Sequence, residues 1–96
     1  MILPVLTALA EPTRLAAMIR LADGREHCVC ELMAALEATQ SRMSRHMQAL
    51  KQAGLVVDRR DAQWVRYRLN PEMPPEIRAV LRAVLEAAAA SERSAA

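Results

Sequence analysis

Ninety-six residues make one small domain of globular composition, 53% hydrophobic and 25% charged, and no apolar run approaches the ~20 residues of a membrane span. The net charge of +2 conceals a division: residues 40–68 carry seven basic and two acidic side chains, a local +5, while the remainder carries six basic and nine acidic ones, a local −3. One basic face on an otherwise acidic protein is the electrostatic footprint of a nucleic-acid binder, although a solvated basic surface gives the same count.

The first expected element is a short helix over residues 2–10, after whose apolar start Glu11 follows too soon for a signal peptide. The chain is therefore expected in the cytoplasm, where thiols stay reduced. Glu11-Pro12 restarts the chain, because proline suits a first helical turn and an acid suits the dipole there. Leu15, Met18, Ile19 and Ala22 share one face of the helix that follows, and Asp23-Gly24 stops it. Residues 25–27 read as a polar connector.

A second apolar stripe, Val29, Leu32, Met33 and Leu36, predicts a helix over residues 28–36. Thr39 is a good N-cap for another helix from Gln40 to about Ala53, with Met43, Met47 and Leu50 inward and Gly54 suited to its end. The outward face of that helix carries Gln40, Ser41, Arg42, Ser44, Arg45 and His46 and no acid. Two helices joined by a short turn match a helix-turn-helix, whose second helix enters the major groove. These six residues are the expected groove contacts, with His46 suited to a phosphate or to packing.

Residues 55–60 and 64–69 read as strands around a turn at Asp61-Ala62-Gln63, with Val65, Tyr67 and Leu69 alternating against Trp64, Arg66 and Arg68. Two strands in a mainly helical chain predict a β-hairpin wing, and Arg59, Arg60 and Arg66 are its expected DNA contacts. The fold expected is thus mainly α with a β-hairpin wing, a winged helix-turn-helix occupying residues 1–96. A last helix over about residues 76–90 has a wide apolar stripe, Ile77, Val80, Leu81, Val84, Leu85 and Ala88. With so little core to cover, that stripe is expected to pair with a second copy as a homodimer through the terminal helices, with residues 91–96 as a flexible tail.

Both cysteines lie in His27-Cys28-Val29-Cys30-Glu31-Leu32. Soft thiolates select soft ions, and a structural zinc site normally takes four ligands, which this stretch does not supply. In an ideal helix residues i and i+2 lie about 200° apart, so two helical thiolates at this spacing cannot share an ion unless the first turn opens or is already frayed. A thiol redox switch remains an alternative, as does burial of the cysteines as small apolar groups.

Several stretches together resemble the ArsR/SmtB repressors. Ala8-Leu9-Ala10-Glu11-Pro12-Thr13-Arg14-Leu15 is similar to their opening motif. Ser41-Arg42-Met43-Ser44-Arg45-His46-Met47, with Leu50 and Ala53-Gly54-Leu55-Val56, resembles their recognition helix and its exit, and Trp64–Leu69 resembles their second wing strand. His27–Leu32 resembles their C-V-C-(D/E)-L box. The resemblance spans residues 6–88. It implies a homodimeric repressor on an inverted-repeat operator, released when a thiophilic ion binds Cys28 and Cys30: As(III) or Sb(III), or Cd or Pb in other members. The third thiol of the pattern is Met33 here, which implies that water, hydroxide or a small thiol such as glutathione completes the set, with His27 a lesser candidate. The cysteines that cadmium and lead members carry near the N-terminus are missing, and residues 76–96 hold neither Asp nor His, so the zinc site of other members has no ligands. No catalytic pattern stands out, which leaves a small thiol-dependent metal carrier as the reading from another class.

Overall fold

The computed structural model describes residues 2–95, so Ala96 of the expected tail lies outside the description. Five helices and three strands follow one another as α1 (Ile2–Leu9), α2 (Pro12–Leu21), β1 (His27–Cys28), α3 (Val29–Leu36), α4 (Gln40–Gln52), β2 (Val56–Asp61), β3 (Trp64–Leu69) and α5 (Pro75–Ala95). This is a winged helix-turn-helix, with α3 and α4 as the paired helices and β2–β3 as the wing.

Local chemistry explains most of the boundaries. Eight residues are too few for a stable isolated helix, and α1 persists because Val5, Ala8 and Leu9 are buried. Its C-terminus has no basic residue of its own. Arg14 reaches back instead, with Nε donating to the Ala8 carbonyl at 2.6 Å and Nη2 to that of Thr7 at 3.3 Å. Glu11 caps α2, its carboxylate accepting the Arg14 N–H at 2.8 Å, with Pro12 in the first turn. The Glu-Pro-Thr-Arg motif is thus a two-sided joint, closing one helix and opening the next.

At the head of α4, Thr39 Oγ1 accepts the Arg42 N–H at 3.3 Å. At its foot, Gly54 takes φ +81°, the Leu55 N–H reaches the Leu50 carbonyl and the Gly54 N–H that of Lys51. That is a Schellman ending, with its usual apolar contact available because Leu50 and Leu55 are both fully buried. Met18, Leu21, Leu32, Met43, Met47, Leu50 and Leu55 form the centre of the core, each without exposure. In a chain with no Phe, unbranched methionines fill the irregular gaps.

Three elements differ from expectation. The buried face of α2 is Ala17, Met18 and Leu21, whereas Ile19 and Ala22 are exposed and Leu15 half-buried. The apolar arc of α2 is wide, and its packing against α1, α3 and α4 selects one side of it. α5 runs to Ala95, so residues 91–95, expected as a flexible tail, continue the helix, and only Leu81 of its stripe is buried, with Ile77, Val84 and Leu85 half-covered. The third difference matters most for function. Residues 27–28 are not connector and helix start but a two-residue strand, and the sheet is three-stranded in the order β1-β3-β2. His27 pairs with Tyr67 and Cys28 with Arg66, so the segment before α3 is stitched into the wing.

Candidate nucleic-acid interface and thiol site

Gln40, Ser41, Arg42 and Arg45 lie exposed along the outer face of α4, and Ser44 is half-buried beside them. The guanidinium groups of Arg42 and Arg45 make no hydrogen bond or ion pair among the described residues, so their charge is free for an anion. His46 departs from this row. Its Nδ1 meets Arg14 Nη1 at 3.3 Å and stands 3.8 Å from Glu11 Oε1, at the junction of α2 with α4. Guanidinium only donates, so this Nδ1 accepts, and the ring proton sits on Nε2. His46 therefore braces the recognition helix against α2. Burial raises the Glu11 carboxyl, but the hydrogen bonds from the Arg14 and Thr13 N–H groups and the Arg14 charge outweigh it and hold the carboxyl below its usual range. Arg14, which the sequence reading left without a role, joins α1, α2 and α4, and its signal was the Glu-x-x-Arg spacing.

The wing separates its basic residues into two groups. Arg59 is gripped by both oxygens of Glu26, at 2.6 and 2.9 Å, and Arg66 Nε donates to Asp61 at 2.8 Å. Lys51 pairs with Asp58 at 3.1 Å. Arg60 and Arg68 are exposed and, among the described residues, unpaired. Of the three expected wing contacts, then, only Arg60 is free without first releasing a carboxylate. Arg68 joins it, two residues along the same strand face as Arg66. We expect Arg60→Ala to weaken binding to any duplex and to reduce the slope of log affinity against log salt by about one. Binding at several salt concentrations reads this directly, and an unchanged slope would remove Arg60 from the interface.

The two cysteines sit where the wing sheet meets α3. Cys28 is the N-cap of α3, with an extended backbone (φ −67°, ψ 142°), and its sulfur accepts the Cys30 N–H at 3.2 Å. The helix begins at Val29, so Cys28 is not on it, and the opposed directions expected for two helical cysteines do not arise. Instead the sulfurs converge and are joined as a pair, with the two Cα atoms 5.1 Å apart. The helix start expected at Cys28 is corrected to Val29, and with residue 28 extended the obstacle of two helical cysteines does not arise. Cys28 is 7% exposed, and Cys30 is half-buried in the first turn of α3.

The surroundings do not complete a cage. Met33, at the position of the third thiol, packs against the core. His27, the lesser candidate for the third ligand, is engaged elsewhere. Its side chain is 13% exposed, Nε2 bonds Asp23 at 2.9 Å and Nδ1 bonds Glu31. Burial opposes protonation of this ring, but the hydrogen bonds it donates to Glu31 and Asp23 outweigh it and raise its pKa above the ordinary value. With both nitrogens engaged, His27 has none to offer a ligand. Among the described residues no group of three His, Cys, Asp or Glu side chains is placed to hold a metal ion.

Comparison with known proteins gives concordant results. The sequence-family profile described as "Bacterial regulatory protein, arsR family" matches residues 11–57. The arsenic resistance transcriptional regulators ArsR1 and ArsR2 of Pseudomonas putida are 46% and 45% identical over 83 residues, 86% of this chain, which spans 65% and 72% of their respective lengths. An arsenical resistance operon repressor of Escherichia coli is 44% identical over 66 residues, covering 69% of this chain and 56% of its own length. Among solved structures, the homodimeric winged helix-turn-helix DNA-binding domain of a possible ArsR-family regulator from Mycobacterium bovis superimposes with a TM-score of 0.74 at 31% identity, over 91% of this chain and 77% of that one.

Proposed function

The chain belongs to the ArsR family of bacterial regulatory proteins, and from that premise we propose that it is a metalloid-responsive repressor. It binds an inverted-repeat operator as a homodimer and leaves it when As(III) or Sb(III) binds Cys28 and Cys30. The observation that carries this reading is the convergence of the two sulfurs at the junction of wing and helix-turn-helix. In the dithiol state arsenous acid condenses with both side chains: two S–H bonds and two As–OH bonds break, two As–S bonds form, and two waters leave. The third position on arsenic keeps its hydroxide or takes a small thiol such as glutathione, because neither Met33 nor His27 is free to fill it. Cadmium and lead are poorer fits, since the site supplies only two soft donors. A reducing cytoplasm suits this chemistry.

Homodimer formation is supported by the M. bovis domain and by what this chain leaves uncovered. Ile2, Leu3 and Leu6 on α1 are 39%, 71% and 44% exposed, and the α5 stripe is half-covered. No enzymatic role is proposed, since the relatives are regulators of transcription.

The pairing of the sulfurs favours one second reading, a thiol redox switch on the same fold. Titrating the protein, bound to a duplex selected from random sequence, with arsenite, cadmium, lead and peroxide separates the two. Release by arsenite at about one per chain is expected. Release by peroxide alone would replace the metalloid with redox state, release by cadmium or lead alone would change the inducer, and failure to bind any duplex would restore the metal-carrier reading.

A further inference from the structure

Glu26 lies outside both the thiol pair and the expected DNA face, yet it makes the only bidentate ion pair among the described residues. Its partner Arg59 is 33 positions away on β2, the far edge of the sheet from β1. The register gives this pair its meaning. Cys28, Arg66 and Arg59 occupy one row across the three strands, because Arg66 faces Cys28 on one side and Arg59 on the other. Residues 26, 27 and 28 are consequently all tied to the wing, Glu26 by charge and His27 and Cys28 by the ladder.

We propose that Glu26 is the positioning residue that couples the thiol pair to the wing, so that a ligand on Cys28 and Cys30 shifts the wing arginines through β1 and the Glu26–Arg59 pair. This rests on the reading of Cys28 and Cys30 as the inducer site. The physical reason is the way the two cysteines are anchored. Bridging through arsenic fixes the Cys28 sulfur relative to the Cys30 sulfur. Cys30 lies within α3, whose buried Val29 and Leu32 resist displacement, while Cys28 lies on a two-residue strand whose ladder ties it to Arg66 of β3. A change at the sulfurs therefore reaches the sheet through β1, and Glu26 passes it across the sheet to Arg59. By linkage, whatever DNA does to the arsenite affinity, arsenite does equally to the DNA affinity.

The test is Glu26→Gln, which keeps size and exposure and removes the charge. Arsenite is expected to bind the free variant within about twofold of the wild type, as read by sulfur-to-arsenic absorbance. DNA binding without arsenite is expected to be undiminished, because Arg59 is released from its carboxylate. The loss of DNA affinity caused by arsenite is expected to shrink about fivefold or more, and the weakening of arsenite binding by DNA to shrink equally, a reciprocal change that simple loosening of the wing does not produce. Asp61→Asn serves as the control, since it breaks a second wing pair, with Arg66, without touching residues 26–28, and it is expected to keep the full response. A Glu26→Gln protein that responds like the wild type would overturn the proposal, as would an Asp61→Asn protein that loses as much. Wild-type protein that binds no arsenite would instead sink the inducer reading, and this coupling with it.

Discussion

Cys28→Ser is expected to abolish the release of DNA by arsenite while leaving folding and operator binding intact. The position makes this a clean experiment. Cys28 caps α3 through its sulfur, and serine is among the best N-cap residues, its hydroxyl accepting the same kind of backbone N–H. What serine cannot do is form a bond of thiolate strength to a soft centre. Inducers of this kind typically shift affinity by about 5–150-fold, and the variant should shift by less than about twofold. Cys30→Ser should behave alike, because one remaining sulfur cannot chelate. Fluorescence anisotropy of a labelled duplex with and without arsenite, alongside a thermal melt, measures both halves of the expectation. A variant that still lets go of DNA on adding arsenite would place the inducer elsewhere on the protein.

The second large effect belongs to Arg42 and Arg45. They stand three residues apart on the exposed face of α4, neither is engaged by a carboxylate, and nothing in the core depends on them. Replacing both with alanine should leave stability within about 0.5 kcal/mol, as exposed substitutions generally do. If each contact is worth about 1–3 kcal/mol, the double variant loses about 30-fold or more in operator affinity. The form of the loss tells what they touch. Phosphate contacts predict an equal loss on every duplex and a salt slope lower by about two. Base contacts predict a loss confined to the selected sequence. Operator affinity within about threefold of the wild type would rule out α4 as the principal contact helix.

These two predictions differ in how much of their basis was visible in the sequence. The recognition helix was legible almost to the residue. Thr39 as cap, Met43, Met47 and Leu50 as the inward row, Gly54 as terminator and an outer face free of acids are local signals, each within a turn or two of the feature it specifies. The wing strands were legible for the same reason, through the alternation of residues 64–69. The thiol pair was visible as a pair, yet its geometry was not. Placing the helix start at Cys28 instead of Val29 turned two converging sulfurs into two opposed ones. A single residue at a helix boundary reverses that conclusion because each helical step rotates a side chain by about 100°.

By itself the sequence determined the elements, the apolar faces, the basic region and the presence of two soft ligands, since composition, capping and periodicity act over short stretches of chain. Tertiary structure alone decided which of those groups are free to act. β1 is two residues long, too short for any alternation, and exists only because β3 lies beside it. Glu26 neutralises Arg59 across 33 positions, and Arg14 holds His46 across 32. Ion pairs of this kind depend on where packing brings distant side chains, a matter settled by burial of the whole core. They remove Arg59 and His46 from the set of free contacts, and they join the cysteine segment to the wing.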